Sequence, residues 1–294
     1  MRSAGNAPRS TESRCNGSTR RCAVPLTDVR ASDVYQRLSE TLRPIGSMMV
    51  AFSGGVDSSV LLQAAHEVLE GDVHAVTIAY PYVQRECIDR AVYFASLRNI
   101  SHDVIVRDFP GDVRMNPYDR CYLCKRDMVR AMKTVATARG CTLVDGTNAD
   151  ELEEYRPGLR ALDEADVKSP LADAGLGKRD VRYLARRLAP EVADAPSSSC
   201  LLTRLPYDTP ADEKMLARIE AAELYMRETV GASKVRVRVH GDVARIEVSP
   251  DERHRLFSEQ AMDDIHDVFR RLGFGHVTLD LEGYRHGSFD EAPI

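Results

Sequence analysis

Ser53-Gly54-Gly55-Val56-Asp57-Ser58 follows the apolar run Met48-Met49-Val50-Ala51-Phe52 and leads into Ser59-Val60-Leu61-Leu62-Gln63-Ala64-Ala65. An apolar run, a tight glycine turn and a helix-forming stretch describe a strand, an anion-binding loop and a helix N-terminus. Glycines let the backbone approach an anion, and the first helical N–H groups have no intrahelical partner. Those donors and the positive end of the helix dipole make a phosphate cradle. Ser53 and Ser58 add hydroxyl donors, and Asp57 is placed to hold Mg²⁺. The Walker arrangement, glycines followed by Gly-Lys-Ser/Thr, is absent, so the cradle is of another kind.

Around this loop, strand-like and helix-like segments alternate. A first helix is expected within 28–42, a strand over Val73–Tyr80, a helix over Glu86–Arg98 and a strand over His102–Val106. A helix over Lys125–Arg139 and a strand over Thr142–Asp145 follow. This β-α alternation implies an α/β fold with a parallel sheet covered on both faces and ligands at the carboxyl ends of its strands. Asp145-Gly146-Thr147-Asn148-Ala149-Asp150 lies at such an end; Gly146 would let a nucleotide approach and Asp150 would bind Mg²⁺. Beyond Pro206 the pattern changes to a long helix over Asp212–Val230, a hairpin over 234–248, a helix over 251–272 and a strand over His276–Leu281. The chain is thus read as a tail (1–24), a parallel-sheet domain (25–205) and a smaller C-terminal α+β domain (206–294).

The tail is rich in Ser, Arg, Asn and Gly and has no apolar core of the secretory type, so disorder is expected there, and no chemistry from Cys15 or Cys22. No apolar run of about 18 residues occurs, which predicts a chain without a membrane span. The net charge of -5 argues against bulk binding to nucleic acid. Seven cysteines in a chain of 294 residues fit reduced thiols of a cytoplasmic protein better than a disulfide framework.

Asn116-Pro117-Tyr118-Asp119-Arg120-Cys121-Tyr122-Leu123-Cys124-Lys125 contains a Cys-x-x-Cys, and Cys200 stands between Pro196-Ser197-Ser198-Ser199 and Arg204. The pair alone fits zinc, iron–sulfur, redox and plain structural readings equally well. Arg236 and Arg238 share one face of a strand, a spacing that also fits a solvent-facing stripe paired with Glu247. Glu220 and Glu223, three apart on a helix, fit either a metal site or a solvated face, and Cys87 and Cys141 read as small buried hydrophobes.

At this point the sequence becomes recognisable. The SGGVDS string resembles the PP-loop of ATP pyrophosphatases. That string, NPxDRCYxCK, DGTNADE, PSxxC with a following Arg-Leu-Pro-Tyr, and Arg-Val-Arg-Val-His-Gly occur in the order seen in the LarE-type family, over residues 30 to 285. Members of that family are ATP-dependent sulfur transferases acting in nickel-pincer nucleotide synthesis. They adenylate a carboxylate on a pyridinium mononucleotide, forming AMP and pyrophosphate, and convert it to a thiocarboxylate. The resemblance implies ATP and Mg²⁺ at Ser53, Gly54, Gly55, Asp57, Ser58, Gly146 and Arg204, and substrate phosphate at Arg236 and Arg238. It further implies a carboxylate metal site that would include Glu223, and a homo-oligomer, commonly a hexamer. Its three-cysteine form implies a [4Fe–4S] cluster on Cys121, Cys124 and Cys200, supplied by sulfide or a sulfur-delivery protein. Two alternatives stay open: sacrifice of the Cys200 sulfur, and another PP-loop activity such as amide formation or tRNA thiolation. The chain departs from the family pattern at Ala195, where a lysine is usual, and at Asp208, where glycine is usual.

Overall fold

The computed structural model describes residues 29–195 and 198–285. The expected tail, Cys15 and Cys22, and the Pro196-Ser197 pair lie outside the described residues. Strands β1 (Met48–Ala51), β2 (Val73–Ala79), β3 (Ser101–Val106) and β4 (Thr142–Val144) form one sheet in the order β3-β2-β1-β4. Every pairing in it is parallel, as the alternation of elements predicts. The helices before, between and after these strands are α1 (Asp33–Leu42), α2 (Val56–Val68), α3 (Arg85–Leu97), α4 (Arg120–Arg139), α5 (Ala149–Leu152), α6 (Pro157–Asp163), α7 (Pro170–Asp173) and α8 (Lys178–Leu188). A second sheet joins β5 (Val235–His240) and β6 (Val243–Val248) as an antiparallel hairpin, with β7 (His276–Leu279) parallel to β6. Helices α9 (Glu213–Glu228) and α10 (Glu259–Arg271) flank it.

Strand period two divides the interior into two cores. Met48 and Val50 pack with α1, α2 and α8 on one face of the parallel sheet, through residues such as Leu38, Leu61 and Leu184. Met49, Val76 and Ile78 face the other way, into an apolar cluster continuous with Leu216, Ile219, Val237, Ile246 and Phe269 of the C-terminal elements. The small sheet and α9 are therefore packed onto the face of the parallel sheet that also carries α4.

Three boundaries differ from the sequence expectation. Helix α4 begins at Arg120 rather than Lys125, because Pro117 places its carbonyl to accept the Arg120 N–H at 3.0 Å, starting the turn early. Both cysteines of the Cys-x-x-Cys motif thus lie in the opening turns of α4. The expected helix over 251–272 is two elements, a 3-10 turn over Pro250–Leu256 and then α10, which Ser258 starts by accepting the Ala261 N–H. A side-chain acceptor at such a position ends one element and caps the next. The segment from Ala149 to Leu188 folds into four short helices that the alternation did not predict.

Candidate active site

The loop after β1 lies at the strand's carboxyl end. The Ser53 and Ser58 hydroxyls are 3.0 Å apart, and Ser53 Oγ accepts the Gly55 N–H at 3.3 Å. Gly55 is the N-cap of α2, and the exposed Ser53 forms the outer lip. Gly54 has φ +70°, and a Cβ there would stand 2.8 Å from the Cys87 carbonyl and 2.9 Å from the Ala91 nitrogen. Its absent side chain lets α3 press against the back of the loop, where Arg90 Nε donates to the Gly54 carbonyl at 2.9 Å. Gly146 plays a matching part. A Cβ there would meet Ser58 N at 2.9 Å, so the glycine admits the first turn of α2.

Asp57 is held by Asn148, which is fully buried and donates from Nδ2 to Asp57 Oδ1 at 2.9 Å. The Asn148 Oδ1 accepts the Glu151 N–H at 3.2 Å and caps α5. Asp150 is engaged elsewhere than expected: its Oδ2 accepts the Lys178 N–H at 2.8 Å, at the start of α8. That bond gives an exposed carboxylate a helix-capping role. Glu151 is the carboxylate near Asp57. Burial raises its pKa, Arg156 partly opposes the rise, and the Asp57 charge adds to it. Two carboxylates that repel each other beside a phosphate loop fit Mg²⁺, whose charge would relieve the repulsion. Asn148 and Glu151 were legible only as the Asn-x-x-Glu of a helix cap.

Cys121, Cys124 and Cys200, though distant in sequence, line one cavity of about 140 Å³ together with Tyr82, Arg120 and Lys125. Met128 and Leu202 supply its apolar wall. Three stitches bring the segments together. Asn116, fully buried with φ +53°, donates from Nδ2 to the carbonyls of Leu205 (3.2 Å) and Pro206 (2.8 Å). The Asp208 N–H returns to the Asn116 carbonyl at 3.0 Å, and Asp208 itself has φ +56°, which accounts for glycine being at home there. The Leu201 N–H donates to the Tyr82 carbonyl at 2.8 Å.

Tyr82 also donates its hydroxyl to Cys124 Sγ at 3.2 Å. Burial pushes the Cys124 thiol up to about 12, the tyrosine bond opposing and the neighbouring Cys200 and Cys121 adding to the rise. Among the described residues no three metal-ligating side chains stand close enough to grip a single ion. A four-iron cluster distributes its thiolates over separate irons and does not need them on one ion. The donor set fits such a cluster: three thiols, two cations and no carboxylate line the cavity, and two of the thiols sit at a helix N-terminus. Cys87 and Cys141 are half-buried rather than buried, the latter 3.3 Å from Ser47 Oγ.

The two remaining polar clusters revise the sequence reading. Arg204 is fully buried and forms a two-pronged ion pair with the equally buried Glu223, at 2.8 and 2.9 Å. Its Nη1 donates to Ser199, Cys200 and Thr203, so the guanidinium fastens the Cys200 segment to α9. Glu223 in turn accepts the Val237 N–H at 3.0 Å and the Gln84 amide at 3.3 Å, and Glu220 accepts the Arg85 N–H at 2.6 Å. These glutamates tie α9 to α3, β5 and the Cys200 segment; the expected metal role gives way to that one.

Arg238 is buried and bonded to Glu247 at 2.6 Å and to the Thr203 carbonyl at 2.7 Å, so the stripe is paired but not solvent-facing. Arg236 differs. It is half-buried, has no carboxylate within ion-pair distance among the described residues, and lies over the Tyr284 ring at 5.1 Å. Burial first, then repulsion from Arg204, depresses its pKa.

The fold and the site define a PP-loop-type α/β protein with a three-thiol cavity. The chain is 34% identical over 258 residues to the pyridinium-3,5-bisthiocarboxylic acid mononucleotide synthase of Lactiplantibacillus plantarum, a match covering 86% of this chain and 92% of that protein. It therefore belongs to the LarE-type family. Uncharacterized proteins of Synechocystis (32% over 258 residues, 87% of this chain and 96% of the relative) and of Methanocaldococcus jannaschii (33% over 239 residues, 81% and 90%) are also similar. No protein-family model matches the chain.

Proposed function

We propose that this protein is an ATP-dependent sulfur transferase that converts a carboxylate of a pyridinium mononucleotide into a thiocarboxylate, on the route to a nickel-pincer nucleotide. The observation that carries the reading is the meeting of Cys121, Cys124 and Cys200 in one carboxylate-free cavity, in a chain that also carries the phosphate loop. A carboxylate is a poor electrophile. Transfer of AMP to it gives a mixed anhydride, and a sulfur nucleophile then displaces AMP from the acyl carbon. The N–H groups opening α2 and the Ser53 and Ser58 hydroxyls bind the departing pyrophosphate. Asp57 and Glu151 would hold Mg²⁺, which offsets the charge on the leaving phosphates. Arg236, with no carboxylate of its own, binds the substrate's phosphate. Cys121, Cys124 and Cys200 would hold the [4Fe–4S] cluster, which supplies an iron without a protein ligand where sulfide is stored. Met128 and Leu202 keep water from the acyl carbon. Sulfide or a sulfur-delivery protein replenishes the site, and the working form is a homo-oligomer in the cytoplasm.

Anaerobic purification with iron and labile-sulfide quantification, then mass spectrometry after turnover, tests this. The cluster reading expects iron, labile sulfide and an unchanged protein mass. Loss of the mass of H₂S at Cys200 would instead establish sacrificial donation. Absence of pyrophosphate release with ATP and a pyridinium dicarboxylate mononucleotide would remove the reading altogether.

A further inference from the structure

Tyr82, just beyond the carboxyl end of β2, joins both cysteine-bearing segments. Its hydroxyl donates to Cys124 Sγ at 3.2 Å, and its carbonyl accepts the N–H of Leu201, next to Cys200, at 2.8 Å. It is 1% exposed, and among the described residues no other hydroxyl-bearing side chain lines the cysteine cavity. The ring is clamped. It stacks on Tyr80 with centroids 5.0 Å apart and planes 11° from parallel, and it meets Phe109 at 5.3 Å. Tyr80 in turn donates its hydroxyl to Asp127, three residues after Cys124 on α4, and Arg107 Nε donates to that carboxylate at 3.1 Å. The helix that supplies the sulfur thus also anchors the ring stack that aims a donor at it. A buried phenol finds a hydrogen-bond acceptor, and the acceptor here is sulfur, weak as a thiol but strong once it is a coordinated thiolate.

We propose that Tyr82 is a positioning residue of the cluster site. Its hydroxyl holds the coordinated Cys124 thiolate beside the Cys200 segment and draws off part of the negative charge that three thiolates bring into a largely apolar cavity. This rests on the sulfur-transfer reading above and adds the donor that governs how firmly, and at what reduction potential, the three cysteines hold their group. Tyrosine suits the task because its rigid ring keeps the donor at a fixed distance from the backbone that binds Leu201.

The test uses the full-length protein, purified anaerobically, with two variants. Tyr82→Phe loses the hydroxyl and keeps the ring and the carbonyl, whereas Tyr80→Phe leaves the Tyr82 donor in place. A hydrogen bond to a ligating thiolate favours the more electron-rich reduced state, so the potentiometric midpoint of Tyr82→Phe should lie below that of the wild type. Its hold on iron against a chelator should weaken about tenfold or more. Tyr80→Phe should keep the wild-type midpoint. An unmoved midpoint in Tyr82→Phe would overturn the assignment, and so would an equal shift in Tyr80→Phe, which would trace the effect to packing and not to the bond. Where Tyr82→Phe fails to fold, the wild type carries the test: its iron–sulfur stretching bands in resonance Raman spectra should shift on transfer to D₂O, and bands that stay in place would exclude a hydroxyl donor at sulfur. A wild type without iron or labile sulfide would sink the cluster reading and this role with it, whereas iron present with an unmoved midpoint would remove the role of Tyr82 alone.

Discussion

The glycine loop after β1 is one contiguous segment, residues 53–58, whereas the cysteine cavity draws on Tyr82, the opening of α4 and the Cys200 segment, regions scattered over more than a hundred residues. In the loop, the glycines do their work against neighbouring backbone: Gly54 makes room for α3, and Gly146, from another strand end, makes room for α2. In the cavity, polar side chains fasten segments that share no local pattern. Asn116 binds the carbonyls of Leu205 and Pro206, and Arg204 binds Glu223 while also holding Ser199 and Cys200. A contiguous site can be specified by local conformation; a composite one depends on buried polar stitches, each exposed to loss by a single substitution.

Breaking one half without the other sharpens that contrast. The largest effect is expected from Arg204→Ala, which leaves Glu223 buried and uncompensated. Urea unfolding should show a loss of about 3–5 kcal/mol, while Arg204→Met combined with Glu223→Leu should cost much less. A single-variant loss below about 1 kcal/mol would show that the pair is not what secures the Cys200 segment. Gly54→Ala comes next. The left-handed φ alone costs about 1–3 kcal/mol, and the contacts with Cys87 and Ala91 add to it. ATP–pyrophosphate exchange should fall with it, and normal exchange would contradict the account of the loop. Asn116→Ala should lower stability by about 1–3 kcal/mol and reduce sulfur transfer while sparing pyrophosphate exchange. Equal damage to both activities would mean that the two halves are mechanically one.

The smallest effect concerns thiol reactivity in metal-free protein. Cys121 is exposed, while Cys124 is raised from 9.0 to about 12, chiefly by burial. Iodoacetamide at mildly alkaline pH should therefore modify Cys121 well before Cys124, as read by peptide mass spectrometry. The sign for stability follows. A thiol held neutral in the fold stabilises it below the ordinary cysteine pKa, and the contribution is lost as pH rises from 9.0 towards about 12. Cys124 labelling as fast as Cys121 would contradict its burial.

Much of the fold is legible in the sequence. The parallel sheet, the loop at the end of β1 and the hairpin of β5 and β6 all stand where periodicity and turn residues put them, because those signals act over a few residues. The roles of the carboxylates were less legible. Asp150 and Glu151 are adjacent and chemically alike, and only the position of α8 decides that Asp150 caps a helix while Glu151 approaches Asp57. Arg204 and Arg238 likewise carried the right charge for a ligand, and it was buried partners on α9 and β6 that claimed them. Tyr82 drew no notice in the sequence, since its hydroxyl acquires a role only from the thiol that α4 brings to it.

By itself, then, the sequence determined the strands of the parallel sheet, the hairpin and the glycine turn that joins β1 to α2, and it made three cysteines available for shared chemistry. Only the tertiary structure decided that Cys200 joins Cys121 and Cys124, and which charged groups find buried partners. The physical reason is range: backbone conformation is set by near neighbours, whereas the pairing of a buried charge depends on whatever distant segment the packing brings within hydrogen-bond reach.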